Sequence, residues 1–241
     1  MSSSVRRNPL RPAGTRVDVP VAVVTWLCGW LVANVAATVV LLAGGYDSAD
    51  EASITALFIA NVLGWAGFVA AMVVASQRGG SGDFAADYGM RVQPIDAAAA
   101  AVGVLTQLVV LPLLYLPLEE LWPATFSDDK LAENAKELVD RAADSGMVLL
   151  VLMVCVGAPL VEELVYRGLI QGSLGNRIHH VAALVIASAF FAVIHFRPVE
   201  YPGLFAAGLV FGTCALAGGR LGPAIVAHAA FNITGLVLAL D

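Results

Sequence analysis

Residues 158–172 read "APLVEELVYRGLIQG" and follow an uncharged run, "GMVLLVLMVCVG", at residues 146–157. An apolar stretch of about 20 residues is long enough to span the hydrocarbon core of a bilayer, so a transmembrane helix is predicted here. This helix also carries Glu162, Glu163 and Arg167. Ionisable residues within a transmembrane segment are costly, and they usually face the interior of a bundle, where they have partners and a function. The three side chains are therefore candidates for a functional site.

Helical geometry separates the two adjacent carboxylates. Glu163 and Arg167 are four residues apart with the acid first, which is the favourable order for an ion pair on one helix face. Glu162 lies about 100° around the helix from Glu163 and has no arginine on its own face. The spacing therefore predicts a structural role for Glu163 and leaves Glu162 free for chemistry.

The composition of the whole chain agrees with a membrane protein. Of its 241 residues, 59% are hydrophobic and 13% are charged, whereas a soluble domain usually has about 25% charged residues. The predicted fold is an all-α, polytopic bundle of about seven to eight transmembrane helices. Seven apolar stretches are candidates, at residues 20–44, 53–76, 95–118, 146–168, 181–197, 203–218 and 222–240. No long basic run is present, so nucleic acid is not an expected partner.

The loop charges predict how the chain is oriented in the membrane. Residues 1–19 form a leader with four arginines, Arg6, Arg7, Arg11 and Arg16, whereas residues 119–146 contain eight acids and three bases. Basic segments lie on the cytoplasmic side, which places the leader in the cytoplasm. Residues 20–241 are expected to form a single membrane domain, with the candidate site in residues 146–240. Seven spans would put the C-terminus outside, and an eighth would reverse it.

One connecting segment has its own helical pattern. In "KLAENAKELVDRAAD", residues 130–144, Leu131, Leu138 and Val139 alternate with charged residues. This pattern predicts a short amphipathic helix that lies on the membrane surface. A solvated linker helix is the equal alternative.

The partners of the carboxylates should come from other helices. His195 ends the apolar run "VIASAFFAVIH", and His228 lies in "AIVAHAAFN" with Asn232 four residues later on the same helix face. A single histidine in an apolar helix is most often a satisfied core residue. Two of them in separate helices, together with the glutamate pair, are more typical of an active site. His179 and His180 occupy a polar turn and are expected to be interfacial.

The expected depths of these residues agree only in part. Glu162 and His195 can meet at similar depth if the turn between their helices lies near residues 178–179. His228 follows Gly222 by only six residues, so simple alternation of spans leaves it shallower. Either the turn "GGRLGP" before it dips into the protein, or the span boundaries differ from those above.

Three motifs in this half of the chain resemble the CPBP family of intramembrane proteases, which includes CAAX prenyl endopeptidases and bacteriocin-processing enzymes. The family pattern is EExxxR, FxxxH and HxxxN, each on its own transmembrane helix. The three occur here in that order, as Glu162-Glu163…Arg167, Phe191…His195 and His228…Asn232. The resemblance covers residues 146–240 and implies hydrolysis of a peptide bond in a membrane-associated protein or peptide surrounded by lipid.

The resemblance also implies roles for these residues. Glu162 would act as general base, with His195 helping to hold the attacking water. His228 and Asn232 would stabilise the developing oxyanion. Alternatively, Glu162, His195 and His228 would bind a zinc ion that keeps one coordination position open for water. A metal-free site would instead depend on Glu162 and His195 to activate water.

Other functions are less consistent with the sequence. Tyr46-Asp47 and the segment Gly80–Asp83 imitate the motifs of intramembrane aspartyl proteases, but both lie in polar links. An ion-coupled transporter often has two related halves, whereas the candidate ionisable residues here are confined to the second half. A non-catalytic membrane partner or immunity protein is the remaining alternative.

Overall fold

The computed structural model describes residues 17–142 and 146–240, so most of the arginine-rich leader lies outside the described residues. This part of the chain is all helical. Its helices, in chain order, are α1 Val19–Gly44, α2 Ile54–Gly79, α3 Phe84–Tyr88, α4 Pro94–Leu121, α5 Asp128–Arg141, α6 Met147–Gly175, α7 His180–Val193, α8 Pro198–Gly218 and α9 Gly222–Ala239.

Six of the described helices are long and apolar enough to cross a membrane: α1, α2, α4, α6, α8 and α9. The expected span at 181–197 is instead the shorter helix α7, which has 14 residues and a length of about 21 Å. This is less than the roughly 30 Å hydrocarbon thickness of a bilayer. The all-α, polytopic prediction is confirmed, with one of the seven expected spans shortened.

The outer surface of the bundle is apolar, as a lipid-facing surface must be. On α1 the large side chains of Val24, Leu31, Val35 and Val39 are all more than half exposed. A soluble protein rarely exposes so continuous an apolar face. The chain is therefore a multi-pass membrane protein.

Contacts at the two ends of the bundle show that α6 runs antiparallel to α1. At one end Arg141, just before α6, donates from Nη1 to the carbonyls of Ala49 (2.9 Å) and Asp50 (3.0 Å) in the loop after α1. At the other end Arg177, just after α6, donates from Nε to Asp18 at the start of α1, at 2.9 Å. These contacts join segments far apart in the sequence and fix the bundle ends.

The amphipathic helix predicted at 130–144 is α5, over Asp128–Arg141. Leu138 and Val139 in its apolar stripe pack against a buried cluster that includes Ile54 and Leu150. The stripe therefore faces the end of the helical bundle. The placement of this helix on the membrane surface stays a prediction.

The turn before α9 lies deep in the protein, which resolves the depth of His228. Leu221 donates its N–H to the carbonyl of Gly89 at 2.9 Å. A Cβ added at Gly168 of α6 would lie 3.1 Å from the Tyr88 carbonyl oxygen and 3.4 Å from a methyl carbon of Leu221. The turn therefore lies level with Gly168, which is six residues after Glu162 on α6. His228 is six residues after Gly222, the first residue of α9, and so reaches the level of Glu162. Of the two alternatives left open by the sequence, the structure agrees with a turn that dips into the protein.

Candidate active site

Glu163 and Arg167 form a buried ion pair on α6. Arg167 Nη1 lies 2.9 Å from Glu163 Oε1, and the two side chains are 1% and 0% exposed, respectively. Arg167 Nη2 also donates to the carbonyl of Gly208 on α8, at 3.1 Å. The four-residue spacing predicted this pair. The additional bond to α8 ties the charge to a neighbouring helix.

Two aromatic rings complete the surroundings of the guanidinium. The Cζ of Arg167 lies 4.6 Å from the centroid of Phe191 and 5.6 Å from that of Phe211. A cation this close to a ring face is attracted by the ring quadrupole, and the attraction is stronger where water is excluded. Phe191 of the FxxxH motif therefore contacts the arginine of the first motif. Phe211 does the same and was not identified from the sequence.

Two glycines on α8 let the polar side chains of α6 reach its backbone. Gln171 donates to the carbonyl of Gly212 at 3.2 Å, one turn along from the bond between Arg167 and Gly208. A Cβ at Gly212 would lie 2.3 Å from a methyl carbon of Leu184 and 2.6 Å from the amide oxygen of Gln171. Small residues at a four-residue spacing let membrane helices pack closely, and this spacing is the signal that could have identified α8.

The backbone of α6 is π-helical on both sides of Glu162. Residues 152–157 and 163–171 have this geometry. Pro159 lies between them and has no N–H to donate to the carbonyl four residues earlier, which favours a local change in hydrogen-bonding register. Such π-helical turns are frequent at functional sites. Every residue from Glu163 to Gln171 is buried, so this widened segment forms the centre of the bundle.

His228 contacts both glutamates from α9. Its Nδ1 lies 2.8 Å from Glu163 Oε1, the oxygen that also accepts from Arg167. Because an ionised carboxylate only accepts hydrogen bonds, Nδ1 carries a proton and donates a hydrogen bond to Glu163. The ring is 4% exposed and stacks on Phe211 with centroids 4.5 Å apart. These contacts fix both the tautomer and the orientation of the imidazole.

Glu162 faces the other nitrogen of the same ring. Its Oε2 lies 3.9 Å from His228 Nε2, and its side chain is 27% exposed. This distance exceeds a hydrogen bond. In its neutral form with Nδ1 protonated, His228 presents a lone pair at Nε2, so both facing atoms are then acceptors. One water molecule between them could donate a hydrogen bond to each.

His195 and Asn232 occupy separate positions near this cluster. His195 Nδ1 lies 2.6 Å from the carbonyl of Phe191, and Phe191 contacts the rings of both His195 and His228. Among the described residues, His195 makes no hydrogen bond to Glu162, His228 or Asn232. Asn232 Nδ2 donates to the carbonyl of Val154 at 2.7 Å and so fastens α9 to the first π-helical segment of α6.

The side chains do not form a ready metal site. In each histidine Nδ1 is engaged and Nε2 remains as the available nitrogen, which resembles the arrangement of metal-ligating histidines. However, no group of three His, Cys, Asp or Glu residues within 17–142 and 146–240 could hold a metal ion. The zinc set Glu162, His195 and His228 therefore stays a prediction.

A cavity of about 390 Å³ opens beside Glu162. Its walls come mainly from α1, α2 and α6, and Glu162 is the one carboxylate among the described lining residues. Trp65 of α2, which also lines it, packs so closely on α6 that a Cβ at Gly157 would lie 2.2 Å from the indole ring. The first two helices thus form part of the surroundings of the candidate base.

Comparison with known proteins agrees with the motifs. Residues 144–234 match the family described as type II CAAX prenyl endopeptidase Rce1-like, and all six candidate site residues lie in this range. No curated protein and no solved structure matches the chain. The resemblance predicted from the sequence is confirmed over the matched residues. The match implies, in general terms, a membrane protease.

Proposed function

We propose that this protein is an intramembrane endopeptidase that hydrolyses a peptide bond in a membrane-associated protein or peptide. The observation that carries the proposal is the pair of acceptors formed by Glu162 Oε2 and His228 Nε2, 3.9 Å apart. Two acceptors so close can hold a water by both of its protons and leave an oxygen lone pair free to attack. The proposal also rests on the family match at residues 144–234.

In the proposed reaction Glu162 is the general base. The water held by Glu162 and His228 attacks the carbonyl carbon of the scissile bond and gives one proton to the Glu162 carboxylate. The tetrahedral intermediate then collapses as its C–N bond breaks, and Glu162 returns that proton to the departing amine. A carboxylate or imidazole placed for such a transfer contributes typically a factor of about 10²–10⁴ to the rate.

Glu163 and Arg167 act on His228 without touching the substrate. The Glu163 carboxylate accepts from Nδ1 and keeps the lone pair of Nε2 directed at Glu162, as the acid of a catalytic triad does for its histidine. Arg167 balances the charge of Glu163 in a dry environment, where an unpaired carboxylate would be costly. Both are therefore positioning residues.

Asn232 is proposed to donate to the developing oxyanion, and His195 is proposed to help hold the attacking water. Asn232 uses one amide proton on the Val154 carbonyl, and its amide group has a second proton to donate. His195 has Nδ1 engaged with the Phe191 carbonyl, so Nε2 is its free nitrogen. Donors aimed at a developing oxyanion typically contribute about 10²–10³ in rate.

We further propose that the N-terminus lies in the cytoplasm. The four arginines of the leader and the acidic segment 119–146 support this orientation. A cysteine introduced between residues 126 and 132 should react with a membrane-impermeant maleimide in intact cells. Reaction only after permeabilisation would reverse the orientation.

The activity can be tested with purified protein in detergent and a randomised decapeptide library read by mass spectrometry. Wild-type protein should generate new peptide termini, and Glu162→Gln should reduce the rate by a factor of about 10²–10⁴. Val62→Phe, which changes an exposed residue of α2, is the control and should cleave as wild type. Cleavage that is unchanged by Glu162→Gln would contradict the proposed function.

A further inference from the structure

We infer that the cavity beside Glu162 binds three to four residues of the substrate chain in extended form, on one side of the scissile bond. This inference rests on the proposed function, since it uses Glu162 as the point where the bond is cut. The binding groups belong to α1 and α2, which lie outside the matched range 144–234. The cavity would therefore set specificity through residues outside the matched range.

The position and length of the cavity support an extended occupant. Along α1 its wall runs from Ala33 to Leu41, a rise of about 12 Å. An extended chain advances about 3.3 Å per residue, so three to four residues fit that length. The lining also includes Glu162 of α6 and Leu57, which lies near the start of α2. The segment would run from the site of hydrolysis toward the loop between α1 and α2.

Two asparagines give the cavity its polar groups. Asn34 Nδ2 donates to the carbonyl of Trp30 at 2.8 Å, and Asn61 Nδ2 donates to that of Leu57 at 2.9 Å. Both asparagines line the cavity, and within the described residues neither amide oxygen accepts a hydrogen bond. A polar group in an apolar environment is costly unless it finds a partner. The two free oxygens therefore favour an occupant that carries hydrogen-bond donors.

The distance of Asn61 from Glu162 along the cavity corresponds to a few residues of an extended peptide. Its Nδ2 also lies 3.4 Å from the sulfur of Met153, nine residues before Glu162 on α6. At about 1.5 Å per residue this is about 13 Å along the helix axis. A chain cut beside Glu162 would thus meet Asn61 about four residues from the scissile bond.

The chemistry of the wall favours a polypeptide over a lipid chain. Apart from Glu162, Asn34, Asn61 and the phenol of Tyr166, the lining is mostly alanine, leucine, valine and aromatic side chains. Such a surface accepts apolar side chains. A hydrocarbon chain would fill the same volume but leave both amide oxygens without donors, whereas each peptide unit of an extended segment supplies an N–H group. The expected occupant is therefore a short apolar peptide segment.

Photo-cross-linking tests where the peptide binds. Benzoylphenylalanine replaces either Ala37, in the cavity wall, or Val39, on the exposed face of the same helix. Each protein also carries Glu162→Gln, so that a biotinylated decapeptide library is bound but not cut. Strong labelling from position 37 with weak labelling from position 39 is expected. Equal labelling from both positions, or cross-links from position 37 to co-purified lipid alone, would overturn the inference.

Steady-state cleavage by otherwise wild-type protein provides an independent measurement. Asn34→Leu combined with Asn61→Leu should raise KM by about tenfold, the equivalent of one or two net hydrogen bonds, with kcat little changed. Ala37→Phe should make the protein prefer smaller side chains at the substrate position three to four residues from the cut. The control Val39→Phe should keep the wild-type preference.

The outcomes separate the two proposals. Normal cleavage with unchanged KM and unchanged preference in all these variants would overturn the cavity inference alone. Absence of cleavage by the wild-type protein would contradict the proposed function and, with it, the assignment of the cavity to substrate.

Discussion

Replacement of Glu163 by glutamine tests the buried part of the site. Glu163→Gln keeps the size of the side chain and removes its charge, so Arg167 loses its ionic partner in a place where the two side chains are 0% and 1% exposed. Removal of one partner from a buried pair costs about 3–5 kcal/mol. The lower end is expected, because Arg167 retains the Gly208 carbonyl and the two aromatic rings.

A loss of about 3 kcal/mol has a measurable thermal signature. For a chain of this length each kcal/mol corresponds to about 2–4 °C, so the melting temperature in detergent should fall by roughly 6–12 °C. Addition of Arg167→Gln to Glu163→Gln should recover part of the loss, because the unpaired charge is removed. Cleavage by Glu163→Gln should also fall, since His228 loses its charged acceptor.

The adjacent carboxylate is the matched control. Glu162→Gln changes a partly exposed side chain without an arginine partner, so its melting temperature should stay within about 2 °C of the wild type. Equal melting losses in Glu162→Gln and Glu163→Gln would refute the division of roles between the two glutamates. So would a Glu163→Gln protein that melts with the wild type.

Three further predictions concern packing, pH and metal. Gly212→Ala should lower the melting temperature, because its Cβ would lie 2.3 Å from Leu184, whereas Gly175→Ala meets nothing within 4 Å and should not. The hydrogen bond from Arg177 holds the pKa of Asp18 below its ordinary value. This contact should therefore be intact above about pH 4 and weaken as the pH falls through the lowered pKa. Hydrogen exchange should show that the amides at the start of α1 lose protection as the pH falls through this range, and protection that does not change would contradict the prediction. Cleavage should persist in chelated, zinc-free protein, and activity that returns only with added Zn²⁺ would support the predicted zinc set instead.

The sequence was sufficient to locate the charged centre of the site. The four-residue spacing of Glu163 and Arg167 predicts their ion pair, and the 100° offset predicts that Glu162 points elsewhere. Local helical geometry decides both features, so no knowledge of the neighbouring helices is needed. The order of the three motifs likewise indicated the family, and the apolar stretches indicated the all-α fold.

The remaining features depend on contacts between distant segments. Helices that are apolar on all sides have no amphipathic pattern to show which face packs inward. The position of Phe211 beside Arg167 and the positions of Asn34 and Asn61 beside the cavity were therefore not predictable. The depth of His228 was ambiguous for a similar reason, because a hydrogen bond between Leu221 and Gly89 sets the position of the turn.

A double-mutant cycle on the cleavage rate tests the central claim that Glu162 and His228 hold one water. Glu162→Gln and His228→Gln are compared singly and together, with the peptide library at equal protein concentration and with melting curves to confirm folding. If both groups act on the same water, the double variant should cleave no more slowly than the slower single variant, since residues that act as a unit are non-additive. Losses that multiply in the double variant would mean that the two groups act independently and would contradict the shared-water mechanism.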